Sequence, residues 1–279
     1  MYRRFITAAL ALFSLVPARA QGKWERMQEE ADRQFNDSNF VAATKLYRTV
    51  ARRTGNDALF GHALYNLGVT YYRRNLPDSA KECFRRLLFF DLDEFDRGGR
   101  GEGIMGEPYA QYKHNSCEML ATIALKESDY GLALEYIRKF DVEYPYQHFC
   151  GNEYKAFDYY LATMYARAYC GLGDTARAIS VLLPHVFDEG LASNAAVLRL
   201  LLPLLRSRYD LAQLSGELYE AAGRLQTGSE KINGRSYERT WVAFLNQKIE
   251  VTGVLSFGSQ GNRTENIRES EFMKQLKAR

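Results

Sequence analysis

"YNLGVTYYRRNLPDSAKECFRRLL", Tyr65 to Leu88, carries too many rings for a solvated helix and too many charges for a buried one. Its apolar residues, counted from Leu64, step by three and four: Leu64, Leu67, Gly68 and Tyr71, then Ala80, Phe84 and Leu87. Each half therefore reads as an amphipathic helix. Asn75-Leu76-Pro77-Asp78 lies between them. Proline has no N–H to donate and is tolerated in a first helical turn, so Pro77 marks the start of the second helix. The stretch predicts helix, tight turn, helix.

The same skeleton recurs. Leu120-Ala121, Tyr130, Ala133 and Ile137 repeat it between Ser116 and Phe140, with Pro145 beyond. Tyr165-Ala166, Tyr169, the turn Gly173-Asp174, Ala178 and Leu182 repeat it between Tyr159 and His185. Ala31, Phe40, Ala43 and Tyr47 keep it near the start with a weaker first helix. A degenerate fifth copy runs from Ala196 to Tyr219, with Tyr209 and Ala212 in register. The small residues Ala31/Ala43, Gly68/Ala80, Ala121/Ala133 and Ala166/Ala178 form pairs of constant spacing, twelve positions each. A small residue in each helix lets two backbones cross closely, and a larger one there costs about 1–3 kcal/mol through overpacking. Rings and leucines fill the adjoining gaps, about 1.5–3 kcal/mol each when buried. A single unit cannot bury its own apolar face, so units must stack.

This pattern resembles the tetratricopeptide repeat, whose period is about 34 residues. The resemblance covers roughly Trp24 to Tyr219. It implies an all-α fold, a superhelical α–α solenoid over 21–222, with repeats near 24–57, 61–94, 114–147 and 159–190 and a degenerate one at 193–222. In that family the first helix of each repeat lines a concave groove. By register the resemblance aims His62, Tyr65, Tyr72 and Arg73 inward from the second repeat, Glu118 and Lys126 from the third, and Tyr160 and Arg167 from the fourth. Gln28, Asp32 and Phe35 would join them from the first. Some members clamp a C-terminal carboxylate with Lys and Asn, but Gln28 and Asp32 stand at the first pair here and only Asn66 fits. Rings beside charges on such a face suit an extended peptide or a partner's helix.

Ala80 to Ala133 and Ala133 to Ala178 exceed the family period, so insertions are expected in loops. The first includes Asp91 to Pro108, acidic and then Gly-rich; the spacing of Asp91, Asp93 and Asp96 does not match a helix–loop–helix calcium site. Its glycines lack the preceding strand and the Lys-Ser/Thr end of a phosphate loop. The second, Glu143 to Tyr154, holds His148 and Cys150, two apart and without an orienting acid, and reads as an aromatic connector. Leu225 to Ser236 reads as a polar linker with an Asn-Gly turn. Trp241, Phe244, Leu245 and Ile249 form a helical stripe, so 223–255 is expected to be a helical cap with a short β-prone end. The last segment, 256–279, is expected to be a flexible tail in which Ile267, Phe272, Met273 and Leu276 offer a weak amphipathic helix.

Residues 1–20 read as a secretory signal: a basic start at Arg3-Arg4, an apolar run from Phe5 to Val16, and small residues ending at Ala20. Twelve apolar residues span about 18 Å as helix, short of a hydrocarbon core. "AAVLRLLLPLL" at Ala195 to Leu205 is also too short to span and contains Arg199, so no transmembrane segment is expected after cleavage. Without Arg3, Arg4 and Arg19, the 37 Lys and Arg fall to the number of the 34 Asp and Glu. A near-neutral chain has no electrostatic footprint for nucleic acid. The four cysteines, Cys83, Cys117, Cys150 and Cys170, fit no zinc spacing and read mostly as reduced core residues. The expectation is an exported scaffold, periplasmic or secreted, for protein interaction or assembly in a bacterial envelope. It is expected to be non-catalytic, with no cofactor and no metal, and with another protein or a peptide as partner. Two alternatives stay open, a carbohydrate- or peptide-binding component of nutrient uptake and an all-α enzyme.

Overall fold

The computed structural model describes residues 22–95, 109–187, 192–232, 234–251, 254–255, 259–260 and 262–278. The expected signal, the Gly-rich half of the first insertion and part of the expected tail lie outside them. The chain is mostly helical with a small three-stranded sheet, and it divides into two compact units. One contains the residues up to Ile123 together with Arg138–Gln147; the other contains Ala124–Ile137 and the chain from His148 onward.

In the first unit, α1 (22–36) leads into α2 (Phe40–Arg53), α3 (Asp57–Arg73) and α4 (Pro77–Leu87). Helix α3 packs on both α2 and α4. Gly68 on α3 faces the Phe84 ring of α4: a Cβ there would lie 2.8 Å from it. Phe84 is fully buried, with the Tyr65 ring tilted against it at 5.6 Å. Gly61 on the same helix makes room in the same way for Tyr112, which starts α5 (Tyr112–Lys126). The Glu94 carboxylate accepts the N–H of Lys113 and so satisfies one open donor of the first turn of α5. Helix α6 (Tyr130–Arg138), which belongs to the second unit up to Ile137, runs on into a π turn, Lys139–Glu143.

Four hairpins among the described residues close with one backbone turn. Ser38, Asn75, Ser128 and Gly173 hold left-handed φ angles of 60°, 58°, 61° and 77°. Each donates its N–H to the carbonyl three residues back: Phe35, Tyr72, Leu125 and Cys170. The next N–H in each reaches the carbonyl five back: Gln34, Tyr71, Ala124 and Tyr169. That pair of bonds is a Schellman closure, which satisfies carbonyls that a helix end leaves open. Asn39, Asp129 and Asp174 then cap the second helix by accepting N–H groups of Ala42, Leu132 and Arg177. Leu76 has no capping side chain, and Pro77, with no N–H, follows it. The left-handed residue always stands five positions before the second small residue, at Ala43, Ala80, Ala133 and Ala178. Those four alanines are fully buried, as are Ala31 and Ala121, and Ala166 is 1% exposed.

In the second unit, α7 (Gly151–Gly171) and α8 (Thr175–Leu182) form a hairpin, and α9 (Ala195–Arg206) packs on both. Helix α10 (Leu211–Ala222) follows. The fifth copy departs from the pattern. Ala212 is exposed, Tyr209 is 42% exposed, and no residue between α9 and α10 has a positive φ. Leu198, Leu201, Leu205, Leu214 and Leu218 supply the burial instead.

The expected helical cap is a sheet. Strands β1 (Gln226–Ile232), β2 (Arg235–Phe244) and β3 (Gln247–Glu250) pair antiparallel in chain order. Thr240, Val242 and Phe244 alternate inward along β2, followed by Ile249 and Val251. Leu245 and Asn246, with φ of 46° and 62°, make the two-residue turn into β3, and Gly234 (φ 78°) lies in the turn before β2. Arg239 crosses the sheet, ion-paired with Glu230 on β1 at 2.5 Å and donating to Glu250 on β3 at 2.5 Å. A two-residue pair, β4 (Val254–Leu255) with β5 (Ser259–Gln260), comes next.

The expected flexible tail is ordered where it is described. Helices α11 (Arg263–Arg268) and α12 (Glu271–Lys277) contact α10. Ile267, Phe272 and Met273 are fully buried and Leu276 is 1% exposed. The Phe272 ring meets Phe244 edge-on at 6.2 Å, and the Arg268 guanidinium lies 3.9 Å from the Tyr219 ring centroid.

Candidate functional site

The first unit gathers a polar cluster from three helices. Asp32 on α1 accepts the Tyr47 hydroxyl of α2 at 2.6 Å and faces His62 Nε2 of α3 at 3.3 Å. One turn earlier on α1, Gln28 Nε2 reaches the same carboxylate at 3.4 Å. All three contacts fall on Oδ1. Tyr47 is 1% exposed and Gln28 is 5% exposed, whereas the side chains of Asp32 and His62 are each 36% exposed. Partial burial pushes the Asp32 carboxyl up, but bonds from His62 and Tyr47, the His62 charge and the Gln28 amide outweigh it and hold it below its ordinary value. This stabilisation is present above the ordinary carboxylate range and is lost as pH falls through the lowered pKa.

Gln28, Asp32 and His62 were all expected on the inner face, and the fold brings them together. Tyr47 was legible only as a packing ring; its hydroxyl, on the second helix, had no signal at helical spacing. Tyr65 departs from expectation: it is 8% exposed, its ring against Phe84, so it belongs to the core rather than to a binding face. Tyr72 and Glu118 are half-buried and Arg73 is exposed. It is the neighbouring Arg74 that reaches back to α2, with its guanidinium 3.1 Å from Thr44 Oγ1. Lys126, Tyr160 and Arg167 fall in the second unit, where Tyr160 is half-buried and the two cations are exposed.

A cleft of about 410 Å³ opens between α2 and α4 over α3. Leu64, Leu67 and Cys83 line it, with Arg48, Arg52 and Arg86 and the acids Asp78 and Glu82. Arg48 donates to the Tyr71 hydroxyl, and Asp78 pairs with Lys81 at 2.9 Å. Burial pushes the Cys83 and Cys117 thiols up to about 12, far from a reactive thiolate. None of the four cysteines is in a disulfide. His148 Nδ1 accepts the backbone N–H of Cys150 at 2.9 Å, a local turn contact. Among the described residues no group of three His, Cys, Asp or Glu is placed to hold a metal, and no helix is long and apolar enough to cross a membrane.

His185 lies in the short 3₁₀ turn after α8. Burial, and then the nearby Lys155, push it down to about 4. It stays neutral in the fold where an unfolded chain would protonate it. Stability therefore falls as pH drops below the ordinary value of 6.5 and levels off near 4, a loss of about 3 kcal/mol. Urea titrations at several pH values check this, and His185→Phe is expected to remove that part of the acid sensitivity.

No family model matches the chain, and no curated protein or solved structure matches it either.

Proposed function

We propose that this chain is an exported tetratricopeptide-type scaffold that binds another protein or a peptide. The fourfold Schellman turn, in constant register with buried small residues, supports the repeat reading, because one supersecondary unit is being reused. The observation that carries the function is the meeting of Asp32 and His62 across the first helices of consecutive hairpins. Side chains from α1 and α3 then share one surface, half open to solvent, on which an extended partner can lie. The role proposed for this face is recognition rather than turnover.

Affinity capture from the envelope of the native host, read by mass spectrometry, tests the reading. A defined protein should be recovered by the wild type, and its recovery should fall with His62→Ala, Tyr72→Ala or Arg73→Ala. Arg85→Ala, an exposed change on α4, should leave capture unchanged. Equal recovery by every variant would remove the groove assignment.

A further inference from the structure

We propose that Asp32 and Gln28 form a receptor for a cationic side chain, lysine or arginine, of the bound partner. This rests on the scaffold reading only for where the cation comes from. Three side chains converge on Asp32 Oδ1, and among the described residues no hydrogen bond reaches Oδ2. The carboxylate is thus fixed in orientation by buried groups while its second oxygen keeps its lone pairs. Among the described residues no lysine or arginine pairs with Asp32, and the only partner that can carry a positive charge is His62.

Gln28 supplies the second, independent sign. Its Oε1 is buried without a hydrogen-bond partner, in a side chain only 5% exposed. The amide cannot turn over to cure this, since that would set two acceptors against each other at Asp32. A buried acceptor left open is uncommon in a folded protein and calls for an explanation. The Gln28 Nε2 contact keeps Oε1 within one amide width of the carboxylate. Two acceptors of this pair, Asp32 Oδ2 and Gln28 Oε1, are therefore left without a donor among the described residues. A guanidinium, with several N–H groups in a planar fork, can serve both after a small shift of Gln28; an ammonium has three donors to do the same. An acidic or apolar side chain would leave both acceptors unanswered.

The test needs no knowledge of the partner. N-acetyl-arginine methylamide is titrated into the full chain, with N-acetyl-citrulline methylamide as the neutral isostere, and the ring signals of His62 are followed by NMR. Arginine should shift the His62 signals saturably in the millimolar range, and citrulline should not. Asp32→Asn should weaken the arginine response about tenfold or more, the scale of a lost charge-assisted bond. Gln28→Met keeps the side-chain length and removes the unsatisfied Oε1 together with the long Nε2 contact to Asp32; it should fold normally and bind arginine several-fold more weakly, so the proposal stays testable if Asp32→Asn unfolds. Equal shifts from citrulline, arginine binding that leaves His62 unmoved, or wild-type response in Gln28→Met would overturn it. The two readings fail separately. Arginine binding without any captured protein removes the scaffold and leaves the receptor; a captured protein that Asp32→Asn holds as well as wild type does removes the receptor and leaves the scaffold.

Discussion

Deletion of residues 262–278 is expected to unfold the second unit. The segment is short and could pass for a dispensable end, yet Ile267, Phe272, Met273 and Leu276 sit in the same apolar cluster as Leu198, Leu218, Val242 and Phe244. Burying four such side chains is worth roughly 6–12 kcal/mol, against a typical total of about 5–15 kcal/mol for a domain. The deletion also exposes the apolar face of α10 and unseats the Thr264 hydroxyl from the Ala222 carbonyl, a 2.9 Å bond at the end of that helix. Hydrogen exchange should show protection lost across α9, α10 and β2. A milder change, Phe272→Ala, should cost about 3–5 kcal/mol in urea unfolding. A truncated chain that kept native protection in α10 would show that the two last helices are not part of the core.

Phe84→Ala is expected to cost about 3–5 kcal/mol, the range for emptying a fully buried aromatic site. The informative experiment is its combination with Gly68→Ala. Alone, the Gly68 change puts a methyl 2.8 Å from the Phe84 ring and should destabilise by about 1–3 kcal/mol, less any gain in helix propensity. With Phe84 already cut back, the ring clash is gone and only the 3.1 Å approach to Cys83 Cβ remains, the methyl fills part of the cavity, and the helix gains an alanine. The double variant should therefore be more stable than the two single costs predict, by about 1 kcal/mol or more. Strict additivity would mean that α3 and α4 do not interlock at this point.

The same pair shows why most of the helical fold is legible in the sequence. Gly68 and Ala80 are small because two backbones must approach, and that need recurs wherever a hairpin is reused. A requirement of local geometry leaves a local mark, at a spacing set by the turn. The turn itself is only half visible. Gly173 announces a left-handed residue, whereas Ser38, Asn75 and Ser128 adopt the same conformation with side chains that do not demand it. The candidate site divides likewise: helical register finds Gln28, Asp32 and His62, but not Tyr47, nor the burial of Tyr65.

The C-terminal fifth departs from its sequence expectation for a definite reason. Trp241, Phe244, Leu245 and Ile249 happen to fall at helical intervals, while Thr240, Val242 and Phe244 alternate at strand intervals in the same segment. The alternation, and the Asn-Gly dipeptide between two polar β-capable runs, was the better signal. Neither pattern says which apolar face will be covered, and that decides the matter. Hydrophobic spacing, small-residue pairs and turn prolines are properties of a few neighbouring residues, so the sequence by itself determined the helices and their hairpins. Whether Val242 and Phe272 lie against one core, whether α12 docks, and which oxygen of Asp32 stays open depend on residues far apart in the chain. Only the tertiary structure brings those together, because burial and hydrogen-bond satisfaction are settled between elements rather than within them.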